Sequence, residues 1–314
     1  VLHAEGLLQG YGAGPLGLAV SRDGRTAYVS CNLDDLVLII DLQTMSIADS
    51  IDVSSAGPML GSAQATLALD DRRFYISNHS LRNVMVFDTA SKRVIKVLPI
   101  AALSNSAFGR SADATRVYVA GEKGGLYVID ARDDSYRVIS IPGVVFGTMA
   151  PKPSNPLVLA VVGGISTGPG SMGPAFFEFD LSTETVVRSA FLPADVLPPG
   201  KNARRVVLSP DASRAYFGWM TNIDVAADRG VGNFVVFDLA GFRVLSSAAV
   251  DNGVADFTVN SAAGKAYIIG FWSGGASSND LPVHEWDIVQ NRLIRDIDLP
   301  PSSDQRAIVL DPSN

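Results

Sequence analysis

Histidine and aspartate side chains are the first candidates for metal or acid–base chemistry in this chain of 314 residues. The histidines, His3, His79 and His284, lie far apart, so a metal site would require separate loops to give one ligand each. Asp224 and Asp228 are close together, but the ligand spacing of a calcium-binding EF-hand is absent. The residues therefore predict no metal and no cofactor, with a divalent metal at the mouth of a central channel as the alternative.

A serine nucleophile is suggested by one short pattern. The segment Gly164–Gly168, with Ser166 at its centre, matches G-x-S-x-G. That pattern positions a nucleophile only at a sharp turn from a strand into a helix. No helical periodicity follows Gly168, so we interpret the segment as a glycine-rich loop and assign no catalytic residue.

Composition and charge exclude several classes of protein. With 47% apolar and 18% charged residues, the chain is too apolar to be disordered. Its net charge of −7 disfavours binding to a phosphate backbone, so no nucleic-acid partner is predicted. Cys31 is the only cysteine, which excludes an intramolecular disulfide. No apolar run reaches the roughly 18 residues of a transmembrane helix, so no transmembrane segment is predicted.

A pair of strand patterns recurs along the chain. The first is a polar turn followed by an apolar strand with a tyrosine, and one copy has Leu159 in the tyrosine's place. The tyrosines are Tyr28, Tyr75, Tyr118, Tyr216 and Tyr267. The second is an apolar strand that ends in aspartate. These closing aspartates are Asp41, Asp88, Asp130, Asp180, Asp238 and Asp287, spaced by 47, 42, 50, 58 and 49 residues.

Each repeat predicts four short strands. One strand precedes the polar turn, and another alternating strand follows each closing aspartate. No segment keeps a 3.6-residue apolar period, so few helices are expected. Four antiparallel strands in each unit of about 40–50 residues predict an all-β fold, a β-propeller.

The residues of the repeat resemble the YVTN-type propeller family. Tyr75–Asn78, followed after a short gap by Val84–Asp88, is similar to that family's Tyr-Val-Thr-Asn and Val-x-Val-Ile-Asp pattern. Tyr28–Asn32 leading to Ile39–Asp41 is similar to a second copy. Trp286-Asp287 resembles the WD40 dipeptide but occurs once. The resemblance implies a seven-bladed propeller of the lactonase-like or surface-layer-like kind, and its motif is structural.

We predict one domain over residues 1–314. Its blade units are 16–53, 65–100, 106–141, 145–192, 204–250 and 254–299. Residues 1–8 resemble a fourth strand, and residues 305–314 resemble a first strand. The main prediction is therefore six complete blades plus a partial seventh formed by both termini, and the alternative is six blades.

One face of the predicted propeller has longer connections. From the tyrosine position to the closing aspartate there are 13, 13 and 12 residues in the first three units, but 21, 22 and 20 in the last three. The additional residues lie between the second and third strands, in 163–174, 220–232 and 273–282. Loops on a rigid scaffold are where binding usually occurs. The candidate residues on this face are Asn78, His79, Trp219, Asp224, Asp228, Trp272 and His284.

A second group of candidates lies where the first strands begin, at the mouth of the expected axial channel. They are Gln64, Asn105, Arg204, Arg205, Asp256 and Arg306. Arginines outnumber acidic residues in this group, which favours an anionic small molecule or a carboxylate. Salt bridges between blades are the structural alternative.

These observations predict an exported binding or scaffold module, extracellular or periplasmic, since the sparse use of cysteine fits export. It would hold a protein or glycan partner, or a small anionic molecule, at the looped face. The resemblance implies an alternative: a lactonase-like hydrolase, or the propeller subunit of a redox enzyme, with its site at the channel mouth. A hydrolase would need a general base or a metal there.

Overall fold

A computed structural model describes residues 15–31, 35–57, 65–68, 71–78, 81–102, 108–168, 171–224, 229–270 and 282–298. These residues form 25 β-strands, and their one helical segment is a short 3-10 helix at Ser54–Ala56. They divide into two compact units. The first contains sheets 1 to 3 apart from Leu126 and Ile139, and the second contains sheets 4 to 6.

The first unit has three antiparallel sheets with strands in sequence order. Sheet 1 contains β1 (Pro15–Val20), β2 (Thr26–Cys31), β3 (Leu36–Asp41) and β4 (Ser46–Asp52). Sheet 2 contains β5 (Ala65–Ala68), β6 (Arg73–Asn78), β7 (Asn83–Asp88) and β8 (Arg93–Leu98). Sheet 3 contains β9 (Gly109–Arg110), β10 (Arg116–Ala120), β11 (Leu126–Asp130) and β12 (Ser135–Ile139).

The second unit has three more sheets of the same plan. Sheet 4 contains β13 (Val144–Lys152), β14 (Asn155–Gly168), β15 (Ser171–Asp180) and β16 (Thr185–Phe191). Sheet 5 contains β17 (Ala203–Leu208), β18 (Arg214–Trp219), β19 (Thr221–Asp224), β20 (Arg229–Asp238) and β21 (Arg243–Asp251). Sheet 6 contains β22 (Asp256–Asn260), β23 (Lys265–Ile269), β24 (Val283–Asp287) and β25 (Arg292–Ile297).

The fold is an all-β propeller with six blades, one for each sheet that the described residues form. The all-β prediction is confirmed, and the blade count is that of the six-blade alternative rather than the main prediction of seven. The two strands expected to form a seventh blade, in 1–8 and 305–314, lie outside the described residues. Two strands are half of a four-stranded blade, which is why the repeat count from the sequence was ambiguous. The single-domain assignment stays a prediction.

The strands are buried on both faces because neighbouring sheets pack against one another. In the first unit, Tyr28 of sheet 1 packs with Phe74 and Phe87 of sheet 2. In the second unit, Phe176 of sheet 4 stacks on Phe237 of sheet 5 with ring centroids 4.2 Å apart. Burying such aromatic side chains is the main source of stability in a fold without long helices.

The polar turns that precede the tyrosine strands are ordered by their aspartates. In the turn before β18, the Asp211 carboxylate accepts hydrogen bonds from the Ser209 hydroxyl at 2.6 Å and the Ser213 N–H at 3.0 Å. Asp23 and Asp113 accept the same bonds in their turns. These three aspartates therefore act as turn formers.

The closing aspartates order a second set of turns. Asp41 accepts hydrogen bonds from the Gln43 and Thr44 N–H groups, and each of the other five accepts at least one N–H bond from its own turn. The fourth residue after each closing aspartate has a positive φ of about 50°. These left-handed residues are Met45, Lys92, Asp134, Glu184, Phe242 and Asn291.

Left-handed turn residues connect neighbouring sheets within each unit. In the first unit, Asp134 Oδ1 accepts a 2.6 Å hydrogen bond from the Tyr75 hydroxyl of sheet 2, and its Oδ2 lies 3.7 Å from Arg73 Nε. In the second unit, the Asn291 side-chain amide donates to the Phe234 carbonyl of sheet 5 at 3.3 Å. The same turn that ends one hairpin therefore holds the sheet before it.

Tyr75→Phe tests this connection. The change removes the donor to Asp134 and leaves the carboxylate beside Arg73, so the free energy of unfolding should fall by about 1.5–3 kcal/mol. Tyr118→Phe is the matched control, because Tyr118 is equally buried at the same repeat position and donates to no carboxylate in the described part of the chain. Urea denaturation measures both variants, and equal losses would contradict the proposed role of the bond.

Asp211 predicts a pH dependence of stability. Hydrogen bonds from Ser209 and Ser213 lower the pKa of Asp211 to about 2, from 3.8. Because the folded pKa is the lower one, the stabilisation is present above about pH 4 and is lost as the pH falls towards about 2. Asp211→Asn keeps an acceptor oxygen but does not titrate. The difference in urea midpoint between wild type and Asp211→Asn should therefore shrink over that range, and a constant difference would contradict the prediction.

Candidate functional site

The predicted channel-mouth residues that the structure describes lie together in the second unit. Arg204 and Arg205 are on β17, and Asp256 begins β22. Strand β17 is the first strand of sheet 5, and it packs against the first strands of sheets 4 and 6. The other candidates at this level, Gln64, Asn105 and Arg306, lie outside the described residues.

Arg205 and Asp256 form a salt bridge between two sheets. Arg205 Nε lies 3.2 Å from Asp256 Oδ1, and a terminal nitrogen of Arg205 donates to the Phe257 carbonyl at 3.3 Å. Asp256 is buried, and its Oδ1 also accepts the Phe257 N–H at 2.9 Å. The structural alternative of a bridge between blades therefore describes Arg205.

Arg204 has different surroundings although it is the next residue. The pairing of β17 with β18 shifts register between Ala203 and Arg205, so Arg204 is the additional residue of a β-bulge. It is half-buried, and no residue in the described ranges forms a hydrogen bond or a salt bridge with its guanidinium. Burial lowers the pKa of Arg204, and the nearby charge of Asp256 opposes that shift.

The residues predicted on the face with longer connections do not lie together in the structure. His79, Asp228 and Trp272 lie outside the described residues, and Asp224 is the last residue of β19. Asn78 is fully buried, and its side-chain oxygen accepts the Leu81 N–H at 3.1 Å, which orders the turn after β6. These positions form no shared site among the residues that can be placed.

Trp219 belongs to the core between sheets 4 and 5. It is buried among the side chains of that cluster, and its indole N–H donates to the Val196 carbonyl at 2.6 Å. The bond fixes the linker between β16 and β17 over the core. Core packing and this hydrogen bond therefore account for Trp219.

His284 is a buried residue of β24, and acceptor atoms face both of its ring nitrogens. Nδ1 lies 2.6 Å from Asp296 Oδ1, and Nε2 lies 3.3 Å from the Asp251 carbonyl oxygen. His284 therefore connects β25 and the end of sheet 5.

Two of the predicted insertions form β-hairpins. Residues 163–174 extend β14 and β15, which pair from Val158–Asp180 to Gly168–Ser171. Residues 220–232 form β19 and the start of β20, which pair at Thr221–Val231 and Asn222–Gly230.

The interpretation of Gly164–Gly168 as a loop is wrong, since the segment is a paired strand, and no helix follows it. Of the third insertion, 273–282, only Pro282 is among the described residues.

Exposed apolar side chains line the facing sides of these hairpins. Met172 lies four residues before Phe176, which packs against sheet 5, and Val231 lies four residues before Val235, which packs in the same cluster. Side chains four apart on a strand point to the same side. Met172 and Val231 therefore face the gap between the hairpins, and they are 41% and 37% exposed.

Two buried carboxylate clusters were missed by sequence reasoning. Glu178 of β15 contacts Lys152 at 2.8 Å and Arg188 at 2.7 Å, and Glu285 of β24 contacts Lys265 and Arg295, each at 2.5 Å. The sequence signal that could have revealed them is a glutamate within the otherwise apolar third strand of a repeat. Each carboxylate is paired with two cations through short hydrogen bonds, which accounts for these clusters as structural.

Neither a metal-ligand cluster nor a membrane-spanning helix is found among the described residues. Among the placed residues, no group of three or more His, Cys, Asp or Glu side chains is arranged to hold a metal ion. In the same ranges, no helix has the length and apolar character needed to cross a membrane.

The fold defines the chain as a β-propeller. No protein-family model matches the sequence, and no curated protein matches it. Among solved structures, a chain of Kuenenia stuttgartiensis hydrazine synthase has a similar structure, with a TM-score of 0.69 over 95% of this chain and 90% of that chain. The sequence identity is 18%, so the likeness shows the fold alone.

The hairpin of sheet 4 depends on a glycine. A Cβ atom added at Gly163 would lie 2.2 Å from the Val145 carbonyl oxygen, whereas one at Gly164 would have Met172 Cε as its nearest neighbour, at 3.4 Å. Gly163→Ala should therefore lower the free energy of unfolding by about 3 kcal/mol, because strand β13 must move. Gly164→Ala is the control and should have little effect in urea denaturation. Similar losses for both variants would show that backbone proximity is not the cause.

Proposed function

We propose that this protein is an exported binding module of the YVTN type that holds a segment of a partner protein between the hairpins of sheets 4 and 5. The observation on which the proposal depends is the pair of extended hairpins, with Met172 and Val231 exposed on their facing sides. Exposed apolar side chains on a rigid support are typical of surfaces that bind proteins.

The base of this gap is fixed before any partner binds. Val196 and Leu197, in the linker below the hairpins, are buried in the core of sheets 4 and 5. The Asn233 side-chain amide donates to the Asp195 carbonyl at 2.7 Å, and Trp219 holds the next carbonyl. A base that is already ordered reduces the entropy lost on binding.

The side chains that line the gap between the hairpins favour a peptide over a glycan as the ligand. Met172 and Val231 are aliphatic, and Pro174 lies half-buried beside them on β15. Methionine adapts its shape to different apolar partners. Sugars are held by hydrogen bonds and by stacking on aromatic rings, and neither is offered by these three side chains.

The lactonase-like and redox-subunit alternatives remain competing proposals. Both were implied by the resemblance and place their site at the channel mouth. The likeness to a hydrazine synthase chain adds support for the fold and not for a redox role. An extracellular or periplasmic location is part of the proposal and is tested by fractionating cells that express the full-length protein.

A peptide selection tests the proposed function. Peptides selected from a displayed random library on the wild-type protein should contain apolar residues, and Met172→Glu with Val231→Glu should weaken their binding by about tenfold or more. Val289→Glu is the control, because Val289 is 83% exposed on the turn of sheet 6, outside the gap.

Three outcomes would contradict the proposal. The first is that the selected peptides bind the double variant, Met172→Glu with Val231→Glu, as tightly as they bind the control Val289→Glu. The second is that a glycan array, and not the library, yields ligands that the double substitution abolishes. The third is turnover in a screen of lactones, which would favour the hydrolase.

A further inference from the structure

Among the described residues of the second unit, three buried carboxylates each have two cationic side chains nearby. Glu178 lies between Lys152 and Arg188, and Glu285 lies between Lys265 and Arg295. Asp256 has Arg205 as its salt-bridge partner and Arg204 as a second neighbour. The three groups have the same formal charge of one positive unit but differ in how that charge is compensated.

In the two glutamate clusters, both cations bind the carboxylate directly. Hydrogen bonding to Glu178 raises the pKa of Arg188, and hydrogen bonding to Glu285 raises the pKa of Lys265 and Arg295. The side chain of Arg295 is 67% exposed, so water also solvates its charge. No further anion is needed in these clusters.

The charge of Arg204 is compensated neither by direct binding to the carboxylate nor by high exposure to water. Asp256 Oδ1 is occupied by Arg205 and by the Phe257 N–H, and Arg204 has no hydrogen-bond partner among the described residues. Burial lowers its pKa, which is the opposite direction to Arg188 and Arg295. A desolvated cation without a bonded partner is unfavourable, and an anion beside it removes the penalty.

We infer that the guanidinium of Arg204 binds a small carboxylate anion beside the Arg205–Asp256 pair. The β-bulge at Arg204 directs this side chain differently from the neighbouring strand residues, and half-burial leaves part of it open to a ligand. The planar fork of an arginine matches the two oxygens of a carboxylate.

The charge at the site selects a monovalent anion. One carboxylate matches the single positive charge of Arg204. A phosphate dianion would add a second negative charge close to the buried Asp256 carboxylate, which is unfavourable at short range. Chloride has the right charge but cannot accept two parallel N–H bonds. Acetate is therefore the simplest probe.

The test of this site does not use peptide binding, so it is independent of the proposed function. Isothermal titration with acetate, phosphate and chloride at one ionic strength should show saturable binding of acetate that exceeds that of the other two. Arg204→Gln should weaken acetate binding by about tenfold or more, as expected for loss of a charge-assisted bidentate contact. Arg292→Gln is the control, since Arg292 is exposed on β25 of the same unit and its loss changes the net charge equally.

Arg204→Lys separates charge from geometry. Lysine keeps the positive charge but lacks the planar fork, so acetate should bind more weakly than to wild type and its preference over chloride should disappear. The inference is overturned if Arg204→Gln binds acetate as tightly as wild type, if Arg292→Gln weakens binding equally, or if the three anions bind alike. Circular dichroism of each variant shows that it is folded, and none of these readouts depends on peptide binding.

Discussion

The turn that follows each closing aspartate is the constraint on which the arrangement of neighbouring sheets depends. The aspartate carboxylate accepts N–H bonds within the turn, and the fourth residue after it is left-handed. A left-handed residue is costly for most amino acids and persists only where its surroundings favour it. At Asp134 and Asn291 the compensation is a hydrogen bond to the preceding sheet. One local backbone feature thereby ends a hairpin and aligns it with its neighbour.

Repetition of this turn explains which parts of the architecture could be predicted from the sequence. The closing aspartates and the tyrosine strands recur at regular spacing because each makes the same local bonds, so four strands per unit followed from the sequence. The number of blades was harder to predict. Two strand-like segments at the termini suggested a further blade, and sequence patterns cannot show whether half a blade is completed.

Long-range pairings were beyond sequence reasoning for a physical reason. Tyr75 and Asp134 are far apart in the chain, and their contact depends on how two sheets pack, which no local pattern encodes. The hairpin at Gly163 was likewise missed, because glycine-rich sequence favours loops and it is pairing with β13 and β15 that makes this segment a strand. Arg204 and Arg205 were identified together from repeat position. Their different environments arise from a bulge that repeat position does not reveal.

The hairpins of sheets 4 and 5 depend on the packed core below them. The two sheets share a core of aromatic rings, in which Phe176 stacks on Phe217 and on Phe237, and Trp219 holds the linker above that core. An interior packed in this way resists local rearrangement. Because the core does not collapse to cover Met172 and Val231, these two side chains stay exposed between the hairpins.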